Sequence, residues 1–160
     1  MTGDQTWQYA LGQELRVNIL TRAAETAGRH DMVDAFMLPN SATPPHLHTR
    51  YEERLYVTEG SLTVWLDEDE RTLGPGDFVT IPLHVPHMIK ADERGARTVL
   101  VTSPPGFAEL IERSATPGAE AGPDTEMNVE AFTSVSAELG DVILGPPGMT
   151  PAQAKAAAPS

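Results

Sequence analysis

Cysteine is absent from the 160-residue chain. Its absence excludes disulfide bonds, thiolate metal sites, iron–sulfur clusters and cysteine nucleophiles. Any metal ion bound by this protein must therefore be held by nitrogen and oxygen atoms, such as those of histidine, aspartate and glutamate side chains.

Basic residues are also scarce. The chain has 11 Lys and Arg against 23 Asp and Glu, which gives a formal net charge of −12. Contacts to phosphate groups need clustered Lys and Arg, so we expect no nucleic-acid partner. The acidity favours solubility instead.

Long apolar runs are missing as well. No stretch approaches the roughly 18 apolar residues that a membrane helix needs, and residues 1–30 contain no basic segment followed by an apolar one. From this pattern we expect a soluble, cytoplasmic protein with no membrane partner.

Proline and glycine are plentiful, with 14 and 13 residues, which favours many short elements over long helices. The length suits one domain of all-β or mixed class. Short apolar runs separated by Gly and Pro have the spacing of antiparallel strands in a barrel or sandwich. The predicted strands cover residues 15–20, 32–38, 46–49, 53–58, 61–67, 77–81, 86–91 and 97–102.

The chain beyond these strands has helical signals. Helical spacing of apolar residues predicts a short helix over 107–113. Asn128 can cap a second helix, which Gly140 ends. The apolar face of this second helix consists of Val129, Phe132, Val135 and Leu139.

These signals divide the chain into four parts. We expect an N-terminal extension with one strand, a single barrel, a C-terminal helical segment, and a flexible tail because the last residues are rich in Pro and Ala. Trp7, Tyr9 and the first strand could pair with a neighbouring barrel and cover an exposed sheet edge, so we expect a homodimer. The bounds of the four parts are 1–31, 32–103, 104–145 and 146–160.

Four of the five histidines lie between residues 46 and 87. His46 and His48 are two residues apart, so on a strand their side chains point to the same face. Glu53 can rejoin that face after a bulge or turn, and His87 would approach from across the barrel. Coordination would satisfy these groups inside an apolar barrel, where an unpaired polar group costs on the order of a few kcal/mol. The pattern predicts one metal site with three nitrogen ligands and one oxygen ligand.

The spacing of these residues resembles the first motif of the cupin superfamily. That motif is a His-any-His pair, three or four residues, a Glu, six residues and a Gly. In this chain it spans residues 46–60 and reads HLHTRYEERLYVTEG. Glu53 has six intervening residues before Gly60, whereas Glu52 has seven, so the resemblance selects Glu53 as the ligand.

The second cupin motif opens with a Gly, then five residues, a Pro, and a His five positions after that Pro. Gly76, Pro82 and His87 match it, but His84 stands where the family usually has Gly. A loop position facing solvent is the favoured interpretation of His84. A donor to a metal ligand, or an acid or base at the pocket mouth, is the alternative. His30 has no identifiable partner.

The resemblance implies a mainly β fold: a cupin-type double-stranded β-helix (jelly-roll) barrel with one or two short C-terminal helices. Segments 44–50 (PPHLHTR) and 53–57 (ERLYV) are similar to the bacterial single-barrel quercetin (flavonol) dioxygenases. That narrower resemblance implies a metal-dependent dioxygenase that cleaves or oxygenates a hydroxylated aromatic substrate, flavonol-like or polyketide-like. Glu53 would then be both a metal ligand and the general base.

Three imidazoles and a carboxylate suit one divalent transition metal, and iron, manganese, nickel, cobalt, copper and zinc are all candidates. The implied partners are a small-molecule substrate and dioxygen. Two alternatives use the same site without oxygen. One is a metal-dependent isomerase, epimerase or lyase acting on an enolisable carbonyl compound, and the other is a non-catalytic metal- or ligand-binding cupin.

Strand alternation also predicts the pocket wall. Leu55 and Val57 share the face of Glu53, so the wall near the metal is expected to be aliphatic. Ordinary core is the favoured interpretation of four further residues, and an aromatic-binding surface is the alternative for each: Phe36, Phe78, Met88 and Phe107.

Overall fold

Strands dominate the computed structural model, which describes residues 7–160; residues 1–6 of the expected N-terminal extension lie outside it. The mainly β class with short C-terminal helices is confirmed. The strands are β1 (Gln8–Tyr9), β2 (Leu15–Thr21), β3 (Asp31–Met37), β4 (His46–His48), β5 (Glu52–Leu66), β6 (Asp69–Leu73), β7 (Phe78–Ile81), β8 (His87–Ser103), β9 (Thr116–Pro117) and β10 (Asp141–Ile143). The helices are α1 (Phe107–Ser114), α2 (Val129–Glu138) and α3 (Pro151–Ala157).

Strand β8 lies at the centre of the sheet. It pairs antiparallel with β3, β4 and β5, and β5 in turn pairs with β6 and β7. The remaining strands extend the sheet from β3 through β2 and β1 to β9, and from β4 to β10. Because β1 is flanked by β2 and β9 of its own chain, the expected free edge for a partner barrel is not at β1.

The two long strands bend at glycines where the sequence predicts breaks. Gly60 in β5 (φ 70°) and Gly95 in β8 (φ 80°) adopt left-handed backbone conformations. A Cβ atom on Gly60 would overlap the backbone oxygen of Gly95, so only glycine allows the strands to approach this closely. Register shifts on both sides of Gly60 mark a bulge, which bends β5 without ending it.

Side chains along β5 alternate between the inner and the outer face of the barrel wall. Glu53, Leu55 and Val57 are buried, while Arg54 and Tyr56 between them are exposed. This alternation has the two-residue period expected from the sequence, and it places Glu53 on the inner face. The inner faces of β2, β3, β5 and β7, together with α1, supply the core, which includes Val17, Val33, Val57, Leu62, Val64, Ile81 and Ile111.

A buried carboxylate fixes α1 on the barrel. Asp31, at the start of β3, accepts hydrogen bonds from the backbone N–H groups of Gly106 and Ala108, both at 2.9 Å. It also accepts a hydrogen bond from the hydroxyl of Thr102 in β8. The first N–H groups of a helix have no partner within the helix, so Asp31 satisfies two of them and places a negative charge at the positive end of the helix dipole.

The C-terminal segment contains the expected second helix and a further short helix. Asn128 caps α2 by accepting a hydrogen bond from Ala131 N at 3.0 Å. Within residues 146–160, for which the sequence predicts a flexible tail, Pro151–Ala157 forms α3. The physical reason is a capping box: Thr150 and Gln153 bond to each other's backbone N–H groups, and Pro151 starts the helix.

None of the helices in residues 7–160 is long and apolar enough to span a membrane.

Candidate functional site

Three strands bring the four residues singled out in the sequence to one place. β4 carries His46 and His48, β5 carries Glu53, and β8 carries His87, which lies opposite His46 in the strand register. One potential ligand atom from each of the four residues lies within 4.8 Å of all the others. His48, Glu53 and His87 are buried, and His46 is half-buried.

The orientation of the imidazoles fits a metal ion. Each ring uses Nδ1 for a hydrogen bond: His46 to Pro44 O at 2.8 Å, His48 to Asp141 Oδ1 at 2.7 Å, and His87 to Val85 O at 2.9 Å. The Nε2 atoms therefore face the centre of the cluster, where they could bind a metal ion. Nε2 of His87 is buried and lacks a hydrogen-bond partner among residues 7–160, as expected of an atom that binds a metal. The cluster fits a divalent metal ion.

The neighbouring glutamates differ as the motif spacing predicts. Glu53 is buried, with Oε2 at 2.9 Å from Nε2 of His48 and 3.8 Å from Nε2 of His87. Glu52 points to the outer face, where it pairs with Arg54 at 2.9 Å. A bend between β4 and β5 supplies the change of phase that brings Glu53 onto the face of the histidines.

The charges in the cluster are strongly coupled. Burial opposes a charge on His48, but hydrogen bonds to Asp141 and Glu53 raise its pKa to about 9. Burial also opposes the charge on Glu53, but the His48 hydrogen bond lowers the pKa of Glu53 to about 2. Burial and the neighbouring His46 lower the pKa of His87 to about 3, and burial lowers the pKa of His46. The metal-free site therefore holds one imidazolium between two carboxylates.

We expect metal uptake to release this proton. A metal ion and a proton compete for Nε2 of His48, whose pKa is about 9 in the metal-free protein. Raising the pH removes the competing proton, so the apparent affinity for Co²⁺ should rise by roughly 50- to 100-fold between about pH 6.5 and 8.5. Chelator-competition titrations of the metal-free protein at the two pH values would measure this change, and equal affinities would contradict it.

Two residues of the site, Asp141 and Tyr51, are not predicted from the sequence. Asp141 contacts His48, and its second oxygen accepts a hydrogen bond from the hydroxyl of Tyr51 at 2.9 Å. The Tyr51 ring stacks on the His48 ring with centroids 4.3 Å apart. Asp141 is 93 residues from His48 in sequence, and no local motif marks it. Burial, followed by the contact with Asp141, raises the pKa of Tyr51.

The remaining histidines lie outside the cluster. His84 is exposed and has a positive φ of 63°, a conformation that favours the glycine usual at this motif position. This finding agrees with the solvent-facing interpretation. The backbone N–H and carbonyl of His30 form hydrogen bonds with the hydroxyl of Thr26, in the turn before β3.

An apolar cavity of about 70 Å³ adjoins the cluster. Leu55 lines it as predicted, whereas Val57 belongs to the core nearby. Of the four residues for which an aromatic-binding surface is the alternative to ordinary core, Phe107 lines the cavity and Met88 is buried away from it. Phe36 does not line the cavity, and Phe78 is 70% exposed on the outside, so neither interpretation holds for Phe78. The C-terminal segment provides part of the wall, namely Leu110, Phe132, Ser136, Asp141 and Ile143.

Ser136 places a polar group in this wall without a partner. The residue is buried, and its hydroxyl lacks a hydrogen bond among residues 7–160. Removing an unsatisfied buried hydroxyl relieves a desolvation cost, so Ser136→Ala should stabilise the metal-free protein by about 1 kcal/mol. The expected rise in Tm is about 2–4 °C. Calorimetry would measure it, with exposed Ser134→Ala as the control, and a lower Tm for Ser136→Ala would contradict it.

Residues 35–103 match the family model described as cupin domain. Together with the antiparallel barrel and the paired motifs, this match confirms the resemblance to cupin domains found in the sequence, for residues 35–103.

Known proteins similar to this chain share the barrel region. Quercetin 2,3-dioxygenase of Bacillus subtilis is 28% identical over 104 residues, which cover 65% of this chain but only 28% of that protein. The chain thus spans about a quarter of that relative's length. An RmlC-like cupin from Shewanella frigidimarina is 25% identical with a TM-score of 0.55, over 65% of this chain and 88% of that one. KdgF from Halomonas sp. shares the fold at 24% identity and a TM-score of 0.58, over 65% of this chain and 90% of that one.

Proposed function

We propose that this cupin is a metal-dependent dioxygenase that cleaves or oxygenates a hydroxylated aromatic compound, flavonol-like or polyketide-like. The observation that carries the proposal is the apolar cavity beside the His and Glu cluster. The similarity to part of a quercetin 2,3-dioxygenase supports the same substrate class.

The lining of the cavity favours an aromatic substrate over a charged or sugar-like one. Among the described residues that line it there is no Lys or Arg, and most side chains are aliphatic or aromatic. An anionic substrate would lose its hydration there without a cationic side chain to replace it, and a sugar, whose hydroxyl groups surround the whole molecule, would find few hydrogen-bond partners. A flat aromatic ring loses little, and its hydroxyl or enolate group can be anchored at the cluster.

Different residues of the chain would have different roles in such a reaction. A bound metal would supply Lewis acidity that lowers the pKa of a substrate hydroxyl. Glu53 holds its carboxylate among the imidazole nitrogens, where it can take the hydroxyl proton. Leu55, Leu100 and Phe107 line the cavity, and they exclude water from the reacting group.

An aromatic substrate requires the part of the cavity wall that the C-terminal segment provides to move. The cavity of about 70 Å³ is about half the size of a cavity of about 150 Å³ that accommodates benzene. Helix α2 forms part of its wall, and within α2 only Val135 and Ser136 are buried. Its contacts with the rest of the chain include a hydrogen bond from Arg50 to Glu138 O at 2.7 Å. We infer that substrate entry displaces α2.

Oxygen consumption tests the proposed reaction. The purified protein would first be loaded separately with Fe²⁺, Mn²⁺, Ni²⁺, Co²⁺, Cu²⁺ and Zn²⁺, because the donor set does not choose among them. Each form would then be assayed with quercetin, other flavonols and polyketide phenols, with and without oxygen. The proposal predicts product formation only with oxygen, in step with oxygen uptake. Product without oxygen would favour an isomerase, epimerase or lyase, and binding without turnover would favour a non-catalytic cupin.

We also propose that the protein is a homodimer. An exposed aromatic pair on the outer face supports it: Tyr56 in β5 lies opposite Phe78 in β7, and they are 47% and 70% exposed. Light scattering at micromolar concentration should give twice the chain mass of 17.2 kDa. Phe78→Asp should shift the mass to that of one chain, and a monomer mass for the natural sequence would refute the dimer.

A further inference from the structure

The strand at the end of the C-terminal segment reaches the metal-ligand strand. β10 pairs antiparallel with β4, and Asp141 lies opposite His48 in the register. The carboxylate of Asp141 accepts the Nδ1–H of His48 at 2.7 Å and the hydroxyl proton of Tyr51 at 2.9 Å. The side chains of Asp141 and His48 are each 3% exposed, so water does not compete for this contact.

His48 differs in this respect from the other two histidines. Nδ1 of His46 and Nδ1 of His87 donate to backbone carbonyls two residues earlier, Pro44 and Val85. Those partners are local and uncharged. Among the three histidines, only His48 has a charged partner at Nδ1, and that partner comes from outside residues 35–103, which match the cupin domain.

We propose that Asp141 is a positioning residue for the metal site and that the site extends beyond the cupin domain. The carboxylate keeps the proton of neutral His48 on Nδ1 and fixes the ring plane, so the Nε2 lone pair points to the cluster. A carboxylate that accepts the N–H of a metal-bound imidazole also makes the other ring nitrogen a stronger electron-pair donor to the metal. Tyr51 holds Asp141 from its second oxygen and stacks on the ring of His48. The proposal rests on the four-residue metal site of the proposed function.

Cobalt binding to the full-length, metal-free protein tests the proposal. Asp141→Asn preserves the size of the side chain but removes its charge and its ability to accept from both neighbours. We expect it to weaken Co²⁺ binding by about 10- to 100-fold and to change the visible d–d spectrum of bound Co²⁺, which reports ligand geometry. Tyr51→Phe should weaken binding less, because Asp141 remains in place.

Thr49→Val is the matched control. The hydroxyl of Thr49, next to β4, donates to Gly140 O at 2.7 Å. It therefore links the chain just before β10 to the end of β4 without contacting a ligand side chain. It should lower stability slightly and leave both Co²⁺ affinity and the spectrum unchanged. If Asp141→Asn does not fold, as judged by circular dichroism, weaker binding and an altered spectrum in Tyr51→Phe support the proposal, and natural values overturn it.

The outcomes separate this proposal from the metal site itself. If the natural protein binds Co²⁺ and folded Asp141→Asn binds it equally well with the same spectrum, the positioning role is wrong and the metal site stands. If Asp141→Asn and Thr49→Val lose affinity to the same extent, Asp141 only stabilises the fold, which also overturns the proposal. If the natural protein binds no Co²⁺, both the metal site and the positioning role are wrong.

Discussion

Glu53→Gln should leave much of the bound metal in place while lowering flavonol turnover by about 10²- to 10⁴-fold. The amide keeps an oxygen that can bind a metal, but it cannot accept the substrate proton at neutral pH. In the structure, Glu53 lies 2.9 Å from His48 Nε2 and shares a cavity wall with Leu55, so the carboxylate faces both the cluster and the substrate space. Elemental analysis and steady-state kinetics on the same preparation would measure the two quantities.

The adjacent glutamate provides the control for this experiment. Glu52 has the same charge but lies on the outer face, paired with Arg54. Glu52→Gln should therefore retain both metal and turnover. If Glu53→Gln loses metal and turnover in equal proportion, Glu53 acts as a ligand only, and the general base must be sought elsewhere.

Asp31→Ala should produce the largest loss of stability. The substitution removes the acceptor for the N–H groups of Gly106 and Ala108 and for the hydroxyl of Thr102, all of them buried. Gly106 N–H keeps the hydroxyl oxygen of Thr102 as a second acceptor at 3.1 Å, so Ala108 N–H and the Thr102 hydroxyl are the donors that lose their partner. Each buried donor left without a partner costs about 1–3 kcal/mol, so the free energy of unfolding should fall by about 2–5 kcal/mol. Urea denaturation followed by circular dichroism would measure it.

Asp34 offers a comparison on the same strand. It forms an ion pair with Arg97 at 2.6 Å, but the guanidinium is 33% exposed and keeps access to water. The Asp34 carboxylate itself is buried and accepts two hydrogen bonds from Arg97, so Asp34→Ala should cost about 1–2 kcal/mol, less than Asp31→Ala. Equal losses for the two variants would show that Asp31 does not fix α1 as described.

The positions of the proposed ligands follow from the sequence because their information is local. The two-residue period of a strand puts His46 and His48 on one face, and the resemblance to the cupin motif, with its spacing to Gly60, selects Glu53 over Glu52. The structure places both glutamates accordingly. Alternation along β5 likewise gives Leu55 its place in the cavity wall.

Strand lengths are harder to obtain from the sequence because glycine has two roles. It commonly ends a strand in a turn, and on that basis β5 and β8 are each predicted as two strands. Here Gly60 and Gly95 face each other and allow two bent strands to pass closely. Which role applies depends on the partner strand, and that information is not local.

The surroundings of the ligands depend on still more distant contacts. Asp141 lies after α2 on β10, which pairs with β4 opposite His48, and Tyr51 contacts Asp141 through its hydroxyl. Phe78 shows the converse: its aromatic side chain suggests a pocket residue, but its position in β7 turns it to the outer face. A local pattern gives the face of a strand, while the tertiary fold decides what covers that face.

The amount of metal bound per chain tests the account most directly. Metal-free protein would be incubated with one divalent ion at a time, freed of excess, and analysed for metal. His87→Ala would be treated in the same way, because it removes the buried Nε2 that has no hydrogen-bond partner among residues 7–160. We predict about one ion per chain for the natural sequence and little metal in the folded variant, because one of four ligands is lost. No bound metal in the natural protein, or undiminished binding in His87→Ala, would contradict the account.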